Sequence, residues 1–188
     1  MAEQNNETVK YPKNALIEDV AKDFLDGDKL ECLIDFLAFL KNNKLIPRRS
    51  TSVAWVVKYK GKIVCHVRLL VEEKTWSSKL DNCTIKDWCI THSHFSREKW
   101  FVNYEKYFTD EEMIQFVLDR IQEPVCPRKG WTNNCQYRIT LWGKEFHSVC
   151  NCQPFINTNP RGVGLERSKK LILIIKSYIT DFAAANKA

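Results

Sequence analysis

The chain has 188 residues, a formal net charge of +6, 44% hydrophobic and 28% charged content. A globular chain of this length buries roughly 70% of its unfolded surface, so neither metal nor disulfide is needed for folding. No apolar run approaches the ~18 residues of a membrane span, and the polar stretch from Met1 to Glu7 lacks the apolar segment of a secretory signal. We therefore expect a cytoplasmic protein, with a loose lead-in over 1–13 and a single domain over 14–188. The eight cysteines, Cys32, Cys65, Cys83, Cys89, Cys126, Cys135, Cys150 and Cys152, are then read as free thiols, most of them packed as small hydrophobes.

In chain order, Asn14 caps a predicted helix over 15–26 that buries Ile17, Val20, Ala21 and Phe24, with Gly27 as its left-handed terminus. Asp28 and Glu31 form a capping-box-like pair for a second helix that runs to about Asn43. Its wide apolar face of Leu30, Leu33, Ile34, Leu37 and Leu40 belongs in a core or an interface. Pro47 prevents its continuation.

The period then changes to two. Val53, Trp55, Val57 and Tyr59, and then Ile63, Cys65, Val67 and Leu69, predict a β-hairpin around Lys60-Gly61-Lys62. A two-residue loop at Lys60-Gly61 sets Trp55 on the face of His66. A three-residue loop with a G1 bulge sets it on the face of Cys65. The second register alone gives one wholly apolar face, so it is preferred. It leaves Lys58, Lys62, His66 and Arg68 on the other face.

A strand over 84–90 is expected next. A helix over 110–122 follows, capped by Thr109 with Glu112, with Ile114, Val117, Leu118 and Ile121 as its stripe. A second hairpin covers 136–152, turning at Gly143-Lys144 in a type II′ turn. Phe146, Ser148 and Cys150 share the face of Tyr137, Ile139 and Leu141, whereas Arg138, Trp142, Glu145 and His147 take the other. After a loop over 151–164, a last helix begins near Leu165. It buries Ile172, Ile175, Tyr178, Ile179 and Phe182. The sum is an α+β domain: an antiparallel β-sheet of about five or six strands with two N-terminal helices and a C-terminal helix.

Several segments resemble an uncharacterised bacterial single-domain protein family. They include Trp55 with Tyr59-Lys60-Gly61-Lys62, and Gly143-Lys144-Glu145-Phe146 with Val149-Cys150. The family has no established activity. The resemblance implies a bacterial-type single domain and no reaction. A denser cysteine cluster that the family carries before the second hairpin is reduced here to Cys126 and Cys135.

Residues 36–71 hold eight lysines and arginines and no acid, whereas 18–35 holds seven acids against two lysines. A basic surface with aromatics beside it suits an anionic ligand, an acidic partner or nucleic acid. No phosphate-binding loop, nucleophile elbow or zincin motif occurs. Cys65 and His66 are neighbours on a strand and point to opposite faces, as do Cys150 and His147, so neither pair forms a dyad. His92-x-His94 and Cys150-x-Cys152 would each point to one side on a strand, but no Cys-x-x-Cys occurs, so core thiols and ordinary histidines are preferred to a zinc site. No cofactor, metal site or catalytic residue is assigned. The expected function is a non-catalytic ligand- or partner-binding domain. Its candidate binding residues are Lys58, Lys62, His66 and Arg68 on one face, and Arg138, Trp142 and His147 on the other hairpin. The ligand expected there is a small anionic or aromatic molecule, or else a protein partner. One alternative is a nucleic-acid-associated protein using the basic 41–68 region. The other is a cysteine- or metal-dependent enzyme. A homodimer is expected if the second sheet face is open, because Val56, Val64 and Trp142 would then form an exposed patch.

Overall fold

The computed structural model describes residues 11–12, 14–70, 87–92, 104–122, 136–150 and 155–185. The elements are α1 (Ile17–Ala21), α2 (Gly27–Asn42), β1 (Pro47–Arg49), β2 (Ala54–Tyr59), β3 (Lys62–Leu70) and β4 (Asp87–His92). A 3-10 turn (Glu105–Tyr107) precedes α3 (Glu111–Gln122), β5 (Gln136–Leu141), β6 (Lys144–Cys150), β7 (Phe155–Thr158) and α4 (Val163–Ala185). The fold is α+β. Five antiparallel strands form a sheet in the order β1-β2-β3-β4-β7, and β5-β6 make a separate two-stranded sheet. Among the described residues no helix is long and apolar enough to cross a membrane.

The helices pack on the sheet face that carries Trp55, Val57, Cys65, Val67, Leu69, Trp88 and Ile90, all buried. Phe36 of α2 lies 6.0 Å from Trp88, ring centre to ring centre. The Trp55 indole N–H donates to the Ala15 carbonyl, tying the chain before α1 to β2. Asn157 of β7 donates to Ser168 of α4 at 2.6 Å. Every residue of β4 is buried, including Cys89 and Thr91 on the second face. Val64 is buried as well. Val56 and Trp142, expected beside it in an exposed patch, are half-buried.

The first hairpin has the expected faces by another route. Tyr59 pairs with Lys62 across a two-residue loop, and both Lys60 (φ 45°) and Gly61 (φ 78°) are left-handed, the signature of a type I′ turn. The register then shifts by one between Val57 and Lys58, because Val57 pairs with Cys65 while Lys58 pairs with Ile63. Val64 is the extra residue of a β-bulge. Trp55 thus shares the face of Cys65, as the apolar pattern requires.

The second hairpin turns at Trp142-Gly143, not at Gly143-Lys144. Leu141 pairs with Lys144, and both turn residues have positive φ, 47° and 72°. The type I′ geometry again suits the strand twist. Pairing moves by two residues, so Phe146 pairs with Ile139 in place of Leu141 and keeps the same face. Both join Leu141 in the core.

Other boundaries also differ. The first helix is a short turn of five residues, and Gly27 (φ 48°) opens α2 instead of closing α1. Asp110, not Thr109, caps α3: its carboxylate accepts from the Glu112 and Met113 N–H groups at 3.0 and 3.4 Å. Strands β1 and β7 add edges where loops were expected. Phe182 is 47% exposed, so it leaves the predicted buried stripe of the last helix.

Candidate functional site

Lysines converge where α2 ends, the β2–β3 hairpin turns and α4 nears its end. Tyr59 stands at the centre. The Lys60 and Lys176 ammonium groups lie 5.5 and 5.3 Å from its ring centre, a cation–π distance. Thr180 donates to the Tyr59 hydroxyl at 3.4 Å. The Tyr59 pKa is lowered by that hydrogen bond and by the charges of Lys60, Lys176 and Lys44, against an opposing effect of burial. Lys176 also donates to the Asn43 carbonyl at the C-terminus of α2, where cations are favoured.

Lys44 owes its place to a helix terminus. The Leu45 N–H reaches back to the Leu40 carbonyl, and the Lys44 N–H to that of Lys41, both at 2.9 Å. This is a Schellman motif, and Lys44 occupies the position that glycine usually fills. Its φ is 59°. Leu45 and Leu40 are both fully buried beside it, the hydrophobic contact such a motif favours.

Of the sequence-predicted residues, Lys58 is exposed on β2, on the same face as the half-buried His66 and Arg68. Lys62 does not join them. The Val64 bulge reverses the parity of the strand start, so Lys62 lies on the helix face beside Tyr59, with its ammonium 5.9 Å from the Phe182 ring centre. Burial, then the Arg68 charge, lowers the His66 pKa, so the imidazole is neutral at neutral pH. The Arg68 Nε is buried and has no hydrogen-bond partner.

The Arg138, Trp142 and His147 grouping is broken at Trp142. As a turn residue, Trp142 leaves the strand face on which Arg138 is exposed. Its N–H donates to the Glu105 carboxylate at 2.6 Å, and its ring meets Phe108 edge-on at 5.5 Å. It lines an open groove of about 740 Å³ with Tyr107, Phe108, Tyr178 and Phe182. The His147 side chain lies outside the described residues.

Five cations elsewhere in the molecule are paired. Lys22, Lys29, Arg167, Lys169 and Lys170 each hold a carboxylate: Asp19, Asp87, Glu112, Asp35 with Glu166, and Asp110. Among the described residues, Lys44, Lys58, Lys60, Lys62 and Lys176 hold none. Arg49, in the same basic stretch, is structural. It donates to the carbonyls of Tyr11, Pro12, Thr51 and Ser52 and stacks near Tyr11 and Trp55.

Sequence reasoning found Lys58, Lys60 and Lys62 from charge density but not Lys176. Its only signal was a lysine on the last helix, which no spacing rule connects to a hairpin tip.

The thiols of Cys32 and Cys65 are unsuited to nucleophilic attack. Burial pushes the Cys65 thiol far up. Burial and the neighbouring Asp28, Asp35 and Glu31 raise that of Cys32. A reactive thiolate needs the opposite surroundings. Among the described residues no three His, Cys, Asp or Glu side chains group as a metal site. Cys83, Cys126, Cys135, Cys152 and His94 lie outside the described residues. Compared with protein families, curated proteins and solved structures, the chain matches none.

Proposed function

We propose that the protein is a non-catalytic cytoplasmic binding domain whose lysine-rich end takes an acidic segment of a protein partner. The observation that carries this reading is the set of five lysines around Tyr59 that, among the described residues, hold no carboxylate, whereas Lys22, Lys29, Arg167, Lys169 and Lys170 each do. Like charges held together cost stability unless an anion relieves them. Two of them, Lys44 and Lys60, also stand in left-handed backbone, where a lysine is disfavoured. Local rules broken together at one surface mark it as functional. The surface is a convex hairpin tip with flexible ammonium groups, which suits carboxylates along an extended chain better than the planar, bidentate recognition that arginine gives phosphates. The free thiols of Cys32 and Cys65 agree with a reducing compartment.

The test is binding of poly-glutamate by calorimetry at two salt concentrations. The intact protein should bind, and raising the salt should weaken binding steeply. The variant Lys44→Glu/Lys60→Glu/Lys176→Glu should lose it, and Lys44→Gly/Lys60→Asn, which leaves the Lys176 contact with the Asn43 carbonyl in place, should weaken it while melting at no lower temperature. Tighter binding of a single-stranded oligonucleotide than of poly-glutamate would replace this reading with the nucleic-acid one. No binding of either at low salt would end both.

A further inference from the structure

We propose that a second site, a cleft of about 420 Å³ between the start of α2, the start of β4 and the turn after β7, binds a small zwitterion of the amino-acid class. The volume lies in the range of small-molecule pockets. A polar network runs beside it. The Lys29 ammonium meets the buried Asp87 carboxylate at 2.7 Å. The Asn159 side-chain amide donates to the same carboxylate at 2.7 Å, and its oxygen accepts from the Trp88 N–H at 3.0 Å. Asn159 holds a left-handed backbone, φ 42°, to make these contacts.

Three groups lining the cleft remain unused by that network. Trp88 is fully buried, yet among the described residues its indole N–H has no acceptor. A buried donor in this state calls for a partner. Arg161 and Asp28 are both exposed at the cleft and hold no ion pair or hydrogen bond among the described residues. Cys32 beside them stays a protonated, neutral thiol. The unused charges are thus one positive and one negative. A simple anion would be drawn by Arg161 and repelled by Asp28, and a simple cation the reverse. A ligand with both an ammonium and a carboxylate satisfies each, and one of its oxygens can accept from Trp88.

The test uses the full chain and the free proteinogenic amino acids as probes, read by calorimetry and by the indole N–H resonances in NMR. At least one amino acid should bind with Kd near or below about 1 mM and move one indole resonance. Arg161→Gln and Asp28→Asn, both surface changes that leave the melting temperature in place, should each weaken it about tenfold or more. The N-acetyl and carboxamide forms of that amino acid should lose binding likewise. Absence of binding by every amino acid at about 10 mM would overturn the proposal. So would binding that survives both substitutions or both blocking groups. Neither variant touches the lysines around Tyr59, so this site fails or stands independently of the acidic-partner reading.

Discussion

Asp87 shows how a charge is kept inside a small domain. Its side chain is 4% exposed, and it accepts from both Lys29 and Asn159 on one oxygen. Removing the carboxylate strands the Asn159 amide and leaves Lys29 without its counter-ion. Lys29 is 40% exposed and can turn to water, which discounts the loss. Asp87→Ala should therefore cost about 2 kcal/mol in urea unfolding, below the full penalty for breaking a buried pair. The left-handed lysines run the other way. Lys44→Gly and Lys60→Asn put residues suited to positive φ at φ 59° and 45°. Each should gain about 0.5–1 kcal/mol in the same measurement. Each should also weaken poly-glutamate binding, so that stability and binding move in opposite directions at the same two positions.

Among the elements, α3 is fastened at its start. Asp110 caps its first N–H groups and forms an ion pair with Lys170 of α4. The hydrogen bond from Lys170 and those from the Glu112 and Met113 N–H groups hold the Asp110 carboxyl below its usual range, against a smaller effect of burial. A depressed carboxylate contributes stability above its unfolded pKa and loses it as the pH falls through the folded one. Wild type should thus be more stable than Asp110→Asn at neutral pH. The gap should close in acid, which thermal melts across pH would show.

The hairpins were legible because their strands alternate, and alternation survives a change of turn. At Lys60-Gly61 the bulge repaired the register; at Trp142-Gly143 a shift of two moved Phe146 from Leu141 to Ile139 and so kept it on the same face. The turns themselves were not legible. Lysine and tryptophan are poor left-handed residues, and only tertiary contacts such as Trp142 with Phe108 and Glu105 hold them there. Strand β4 is buried on both faces and carries no alternation to mark its ends. Edge strands β1 and β7 are too short, at three and four residues, to show a period. Of the basic surface, the hairpin lysines could be read from local density. Lys176 joins them only through the packing of α4.

Over the whole molecule, charge is sorted. Lys169 bridges Asp35 of α2 and Glu166. Burial pulls its pKa down, but its hydrogen bonds to both carboxylates outweigh that and leave it raised. Together with Lys170–Asp110 and Arg167–Glu112, it knits α2, α3 and α4 by neutral pairs. The lysines about Tyr59 take no part in this. Charge reversal of Lys44 and Lys60, which leaves the Lys176 contact with the Asn43 carbonyl in place, should thus leave the urea midpoint unchanged or raised, whereas binding of an acidic chain weakens steeply.

The strand order has a consequence for synthesis. Strand β4 lies between β3, made before it, and β7, made much later. While the ribosome is still adding residues 93–154, one side of β4 has no neighbour, and its row of backbone N–H and C=O groups is a template for any extended chain. Only the arrival of Phe155–Thr158, anchored by Asn157 on Ser168, closes that side. A nascent chain stalled before this point should seek chaperones or pair with its own kind, and synthesis of β7 becomes the committing step.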